Sequence, residues 1–535
     1  MKNLPFGLQS FRNIIEGDFV YVDKTKYVYD IISINRYYFL SRPRRFGKSL
    51  LLDTIAEAFS GERELFKGLY LDSSNYAFVM HPVIRFDMSN ISNDTAEILR
   101  NSLVYELESQ IENEGLSISV GAPPDMFKKL IKKLHEKYNK QVVILIDEYD
   151  KPILDHLMDE EKAQANRDVI RNFYGVIKSM SANIRLVFIT GVSKFSKTSI
   201  FSALNNLNDI TLSKEYANVC GITVEDMDKY FSEHIEHVSK IDNISKFGCL
   251  KKQILKWYDG YSWDGETRVI NPFSLLGFLL QKRFKGFWYE TGTPTFLLKI
   301  LKEKPDTFLS TQQIQMSEIA IDTFDINNII VEPLFFQTGY LTIKEICYDD
   351  DDGEVNYILD VPNMEVRRAL YLNIVAQFTE TNDVIADSAY LQIRKALKTG
   401  DLEKVLEQIK PLFSSIPYNL HIKREAYYHS IFYAMMNMLG FNINAEVSTA
   451  RGRIDATFEL ADKIYIIEFK YKDCTPDATD EEKRSLFDTA LDEGMQQIAK
   501  RGYADKYKNS GKKIYTAVFV FLGRDEIEMQ YNETL

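Results

Sequence analysis

Cysteine is scarce in this chain and scattered. The four present, Cys220, Cys249, Cys347 and Cys474, form no Cys-x-x-Cys pair, which argues against a disulfide framework or a zinc ribbon as the basis of the fold. No apolar run reaches the length of a membrane span. The opening residues Met1-Lys2-Asn3-Leu4-Pro5-Phe6 lack the apolar core of a signal peptide. There is no internal repeat and no low-complexity tract. Nor is there an excess of positive charge: 65 Lys and Arg against 77 Asp and Glu give a net charge of −12. An anionic polymer would therefore have to be met by a local basic patch rather than by the whole surface. These absences leave a reduced, soluble, cytoplasmic protein with no membrane contact as the expectation.

What the chain does have is length and aromatic material. Its 535 residues suggest about three domains. With 45% hydrophobic and 27% charged residues, 34 Phe and 31 Tyr, it can build large cores. The expected divisions are 1–215, 216–399 and 400–535. The first region alternates short apolar runs with amphipathic patterns, as a parallel α/β sheet does. Strands are expected at Tyr37–Leu40, Val83–Asp87, Val142–Ile146 and Leu186–Thr190, with a helix over Leu50–Phe59. The second region is helical and aromatic. It closes on a hairpin, Tyr340–Ile346 and Val355–Val361, around an acidic turn at Asp349, Asp350, Asp351 and Asp352, and could form a winged-helix-like unit. In the third region a short helical lead-in to Pro411 and Pro417 precedes a long helix, Lys423–Leu439. Strands Ile454–Leu460 and Ile464–Lys470 follow, then a polar loop, a helix over Ala490–Lys500 and a final strand, Ile514–Phe521.

Two segments carry chemistry. The first, Arg42-Pro43-Arg44-Arg45-Phe46-Gly47-Lys48-Ser49, joins a strand to a helix and ends in Gly-Lys-Ser. Backbone amides converging at such a helix start cradle the β- and γ-phosphates of a nucleotide. Lys48 would add a point charge there, and Ser49 a hydroxyl for Mg²⁺. Arg42 stands where the general pattern has its first glycine, which removes a position tolerant of positive φ. Ile144-Leu145-Ile146-Asp147-Glu148 is the companion motif. Asp147 would lie near the Mg²⁺ shell, and Glu148 would polarise an attacking water. Thr190 or Ser193, at the end of the next strand, could sense the γ-phosphate, or simply cap a loop. Arg44 and Arg45 could neutralise phosphate or form surface ion pairs.

These residues carry a resemblance. Leu4-Pro5-Phe6-Gly7, Tyr21-Val22-Asp23-Lys24-Thr25, Phe39 through Ser49 and Asp147-Glu148-Tyr149-Asp150 resemble the bacterial AAA-ATPase-like family. That family is related to the archaeal-type, STAND-like P-loop ATPases. Gly191-Val192-Ser193-Lys194-Phe195-Ser196, Trp257-Tyr258-Asp259-Gly260-Tyr261, Asn271-Pro272-Phe273-Ser274, Thr338-Gly339-Tyr340-Leu341-Thr342 and Pro362-Asn363-Met364-Glu365-Val366 extend the likeness. In the family, arginine at the first loop position is the norm. The resemblance implies ATP and Mg²⁺ as cofactors, with Arg44, Arg45, Phe46, Gly47, Lys48, Ser49, Asp147 and Ser193 at the nucleotide.

The second segment is Ile464–Lys470. Alternation puts Glu468 and Lys470 on one face of an otherwise apolar strand, where an acid and a lysine need partners. A divalent metal and a phosphate would supply them; a structural ion pair is the plainer alternative. Asp455, on the preceding strand, could share the metal with Glu468, since two carboxylates suit Mg²⁺. Glu425 is a candidate outer carboxylate of that site. His429, one helical turn on, is more often an ordinary helix residue than a ligand. Gln497 and Tyr503 lie where they could meet the site. The pattern Glu425…Gly452-Arg453-Ile454-Asp455…Glu468-Phe469-Lys470…Gln497…Tyr503 resembles the PD-(D/E)XK nuclease superfamily. That likeness implies a restriction-endonuclease-like α/β domain with Asp455, Glu468 and Lys470 as its catalytic core. It also implies nucleic acid, DNA before RNA, as partner. The expected whole is an ATPase whose nucleotide state controls cleavage, with homo-oligomer formation open. A STAND-like switch that binds a protein partner, with a non-catalytic C-terminal domain, and a chaperone-like ATPase without nuclease activity are the alternatives.

Overall fold

The computed structural model describes residues 1–194, 206–240, 249–292, 314–322, 330–349, 353–379, 383–414, 436, 443–449, 452–475, 477–523 and 526–534. They fall into two compact units, Met1–Phe296 with Ile314–Glu365, and Leu297–Gln313 with Val366–Leu535. The segment 216–399 is shared between them.

Five strands make the central sheet of the first unit: β1 (Tyr37–Ser41), β2 (Val83–Asp87), β3 (Val142–Asp147), β4 (Ile184–Gly191) and β5 (Asn208–Asp209). Their order is β2-β3-β4-β1-β5, and every pairing is parallel. All carboxyl ends therefore open on one edge, where α/β sheets bind ligands. β3 is buried along its whole length, as a strand covered on both faces must be. Helices Ala96–Asn113, Pro123–Tyr138 and Glu160–Ser179 cover this part of the sheet, with Phe127 stacked on Phe173 at 4.9 Å and Phe86 edge-on to both.

In the same unit a second core forms where helices Val224–Ser239, Leu250–Tyr258 and Pro272–Gln281 pack through Met227, Phe231, Ile254, Tyr258, Leu275 and Phe278. The motifs of this region are structural joints. Asn271 caps the helix Pro272–Gln281 by accepting from Ser274 N, and the Ser274 hydroxyl donates to buried Glu365 at 2.7 Å. The expected hairpin is present as β7 (Thr342–Tyr348) and β8 (Val355–Asp360). A further strand, β6 (Ile314–Ser317), extends it to an antiparallel sheet in the order β6-β8-β7. Asp350, Asp351 and Asp352 lie outside the described residues.

The second unit is built on β9 (Ile443–Thr449), β10 (Gly452–Glu459), β11 (Lys463–Lys472), β12 (Lys513–Leu522) and β13 (Glu526–Thr534), in the order β13-β12-β11-β10-β9. Only β11 and β12 run parallel; the other neighbours are antiparallel. Helix Asp480–Arg501 crosses between β11 and β12 and packs Phe487, Ala490, Leu491 and Ile498 against Ile464, Ile466 and Val518. This helix begins ten residues before the expected Ala490. The acidic stretch read as a loop supplies a capping box, Thr479 with Glu482, and an acidic first turn, Asp480, Glu481 and Glu482. Acids there complement the helix dipole. The edge strands β9 and β13 were not expected. In β13 only Ile527 is fully buried, and its neighbours are largely polar. The helix expected at Lys423–Leu439, with Glu425 and His429, lies outside the described residues except for Met436.

Candidate functional site

In the first unit β1 delivers its chain into the glycine-lysine loop, and helix Lys48–Ala58 starts directly behind Gly47. Gly47 has φ +96°, and a Cβ there would meet nothing within 4 Å. Its backbone conformation, rather than crowding, demands glycine. No side chain caps the helix start, so its first amides are placed to receive an anion. The other left-handed residue of the loop is Arg45, at φ 68°. Arg42 is not among the positive-φ residues, so arginine in place of the pattern's first glycine imposes no backbone strain. Instead its fully buried guanidinium reaches beneath the loop. Nη1 donates to Ser41 O and Thr211 O at 2.8 Å, Nη2 to Tyr216 O at 3.2 Å, and Cζ lies 4.0 Å over the Trp263 ring. Burial pulls its pKa down to about 10, which still leaves it charged.

The rest of the loop is held from the same side. Phe46 is buried edge-on against Tyr261 and Trp263 at 4.8 and 5.4 Å, so its side chain serves packing. Trp288 Nε1 donates to Arg44 O at 3.2 Å. Lys48 Nζ donates to Arg42 O and Pro43 O at 2.9 and 3.1 Å.

β4 separates β1 from β3, and that order sets the acidic half of the site. Thr190 on β4 donates its hydroxyl to Asp147 Oδ1 at 2.5 Å, and the same oxygen accepts from Glu148 N at 3.0 Å. Glu148 has φ 49°, which turns the chain sharply after β3. Burial raises its carboxyl pKa, and Lys48 opposes that rise. Ser193 points elsewhere: its hydroxyl and amide donate to buried Asp150 Oδ2 at 2.7 and 2.6 Å, and Val192 N adds a third bond at 3.0 Å. Gly191 permits this clamp, because a Cβ there would sit 2.5 Å from the Tyr149 ring and 2.7 Å from Asp150 Oδ1.

A cleft of about 340 Å³ joins Arg44, Arg45, Gly47, Lys48, Ser49 and Glu148. Sites for small ligands typically start near ~300 Å³. Asp147, Phe46 and Ser193 are not among its lining residues. Two contributors escaped the sequence reading. Lys151 lines the cleft three residues beyond Glu148, and Pro5, Gly7 and Phe273 form an apolar wall, with Phe273 under Arg45 at 5.0 Å and stacked on Phe6 at 4.7 Å. A second, mostly apolar cavity of about 110 Å³ shares Pro5, Gly47, Leu50, Pro272 and Leu276 with the cleft and reaches Val22 and Ile222. Pro5, Gly7, Val22, Pro272 and Phe273 lie within the family-like motifs, whereas Lys151, Leu50, Leu276 and Ile222 lie outside them.

In the second unit, β10 and β11 pair Ala456 with Ile467, so the antiparallel register sets Asp455 across from Glu468. Asp455 Oδ2 accepts from Phe469 N at 2.9 Å. Glu468 is 1% exposed. Its Oε1 accepts from Lys470 Nζ at 2.9 Å and from Gln497 Nε2, delivered by helix Asp480–Arg501. Its Oε2 is buried and has no hydrogen-bond partner among the described residues. Burial, then the charge of Asp455, pushes the Glu468 pKa up to about 7 against the pull of Lys470. A buried acid with one oxygen lacking a hydrogen bond, set across the strands from a second carboxylate, is the donor set a hard divalent cation takes. Asp455 and Glu468 thus fit Mg²⁺, with Lys470 beside them and not a ligand. Tyr503 is fully buried and accepts from Arg501 Nη1 at 2.9 Å. Arg501, which the sequence reading passed over, favours the ionised form of Glu468. Among the described residues no cluster of three or more His, Cys, Asp or Glu forms a metal cage. None of their helices is long and apolar enough to cross a membrane.

Residues 5–201 match the family described as predicted AAA-ATPase, and residues 423–530 match the PD-(D/E)XK nuclease superfamily. An uncharacterized protein in the vnfD 5′ region of Azotobacter chroococcum mcd 1 is 36% identical over 521 residues, 96% of this chain and 95% of that protein. Among solved structures, Drosophila ORC bound to GC-rich DNA and Cdc6 aligns over 80% of this chain and 58% of its own at a TM-score of 0.21. Drosophila ORC bound to poly(dA/dT) DNA and Cdc6 aligns over 76% and 70% at 0.20, both with 10% identity. Scores this low carry no structural argument.

Proposed function

The chain belongs to the AAA-ATPase-like family and carries a C-terminal PD-(D/E)XK nuclease superfamily domain, and from that premise we propose an ATPase whose nucleotide state governs Mg²⁺-dependent cleavage of nucleic acid. In the first unit the amides behind Gly47, with Lys48, Arg44 and Arg45, receive the phosphates. Ser49 and Asp147 serve the nucleotide's Mg²⁺. Glu148 orients and polarises the attacking water. The apolar cavity next to the cleft takes the base, its walls offering area rather than hydrogen bonds.

In the second unit Asp455 and Glu468 hold a divalent ion, and Lys470 orients the nucleophile or offsets charge on the phosphorane. The bound metal would acidify a water and stabilise the leaving oxygen. The observation that carries this reading is Glu468 itself, a deeply buried acid with one oxygen unanswered, beside a lysine and opposite a second acid.

The test is Mg²⁺-dependent cleavage of DNA and of RNA by the purified protein, with and without ATP, against Asp455→Ala. Cleavage that Asp455→Ala abolishes supports the reading; cleavage that survives it puts the site elsewhere. The net charge of −12 favours a second reading, a nucleotide switch that binds a protein partner in the cytoplasm. Absence of cleavage with ATP turnover intact would select it.

A further inference from the structure

Glu148 and Lys151 enter the cleft together. The left-handed turn at Glu148 reverses the chain after β3, Lys151 N donates to Glu148 O at 3.0 Å, and both side chains line the cavity shared with Lys48 and Ser49. Four cations, Arg44, Arg45, Lys48 and Lys151, face one carboxylate there, the balance a triphosphate wants. They are not equivalent. Lys48 is held by loop carbonyls, and Arg45 lies over Phe273. Lys151 instead grips a side-chain acid, Asp155, at 2.7 and 2.8 Å.

Resting on the ATP reading above, we infer that Lys151 exchanges Asp155 for the terminal phosphate and so distinguishes a nucleoside triphosphate from a diphosphate. Its place beside Glu148, the residue assigned to the attacking water, puts it at the γ-phosphate end of the cleft. The exchange is inexpensive at the other side too. The Lys151–Asp155 pair is partly exposed, at 25% and 33%, and such a pair contributes little to stability. Released Asp155 is not stranded, because its Oδ2 also accepts from Asn93 Nδ2 at 3.2 Å. Asn93 in turn bonds His156 Nε2 through Oδ1 at 2.9 Å and Asn166 Nδ2 through its carbonyl at 2.8 Å. Nucleotide state would thereby reach the short segment after β2.

The experiment is equilibrium titration of the full chain with ADP and with the non-hydrolysable triphosphate AMP-PNP, in Mg²⁺. Losing one charge-assisted contact should weaken AMP-PNP about tenfold or more in Lys151→Met and leave ADP within about twofold. Asp155→Asn, which frees the lysine, should bind AMP-PNP at least as tightly as wild type. If Lys151→Met fails to fold, Lys151→Gln, which can still bond Asp155, carries the same expectation. An unchanged ATP/ADP preference, or Asp155→Asn reproducing the loss, would reduce the pair to a structural clasp and overturn the inference. Wild-type protein that binds neither nucleotide would instead sink the ATP reading itself.

Discussion

Asp150 and Glu468 are each 1% exposed, and burial raises the pKa of both. Their surroundings differ. Asp150 receives three bonds on one oxygen, from Val192 N, Ser193 N and the Ser193 hydroxyl, and so fastens the loop after β4 beneath the cleft. Glu468 receives two bonds on Oε1 and none on Oε2 among the described residues. A buried acid whose donors are supplied is a clamp; one left partly unanswered costs stability until a cation arrives. Equal burial therefore does not mean equal task, and the difference can be probed from both sides.

The largest effect should come from the acid that does neither job. Glu148→Gln is expected to cut ATP turnover about 10²–10⁴-fold while nucleotide titration still shows binding. Lys48→Ala should lose turnover and weaken binding as well. Equal loss of binding in both would erase the division of roles in the cleft. Next, Asp150→Ala removes the acceptor of three donors and should cost about 3–5 kcal/mol, read as a lower denaturation midpoint. A change under about 1 kcal/mol would mean the loop is held by other contacts.

Glu468→Gln should have the opposite sign. With a folded pKa near 7 against an ordinary 4.5, the metal-free folded protein holds a proton that the unfolded chain has released. Its stability therefore falls as pH rises through that window. The amide removes this penalty, so at pH about 8 the metal-free variant should be up to about 3 kcal/mol more stable and should no longer bind metal. Destabilisation instead would place Glu468 with Asp150 as a clamp. The smallest effect is on wild-type metal affinity. Proton and cation compete for Glu468, so Mg²⁺ affinity measured by calorimetry should rise up to about pH 7 and level off above it. A flat profile would remove Glu468 from the ligand set.

Much of this was legible because it rests on patterns with a physical period. β3 announced itself as an unbroken aliphatic run, and Asp147 and Glu148 followed at its end. Glu468 and Lys470 were visible as two charges on one face of an apolar strand, and Asp455 as its neighbour across a short hairpin. Contacts between distant segments were not legible. Nothing in Ser193 says that Asp150 will claim its hydroxyl, and nothing in Lys151 says that a left-handed Glu148 will turn it into the cleft. The first ten residues of the helix Asp480–Arg501 were not legible because its first turn is acidic rather than apolar, nor was β13, because its pairing to β12 is a backbone matter that largely polar side chains conceal.

Arg42 has a consequence for how such loops change over time. Glycine at this position would improve the match to the general pattern and harm the protein. The carbonyls of Ser41, Thr211 and Tyr216 would lose their donor, and Trp263 would lose the group packed over it. A lone exchange to glycine leaves a space beside Trp263 and the 211–216 turn without its donor. A path to the glycine form has first to refill that space and re-pair that turn. A lineage that carries this arginine is held to it by the packing beneath the loop, whatever nucleotide lies above.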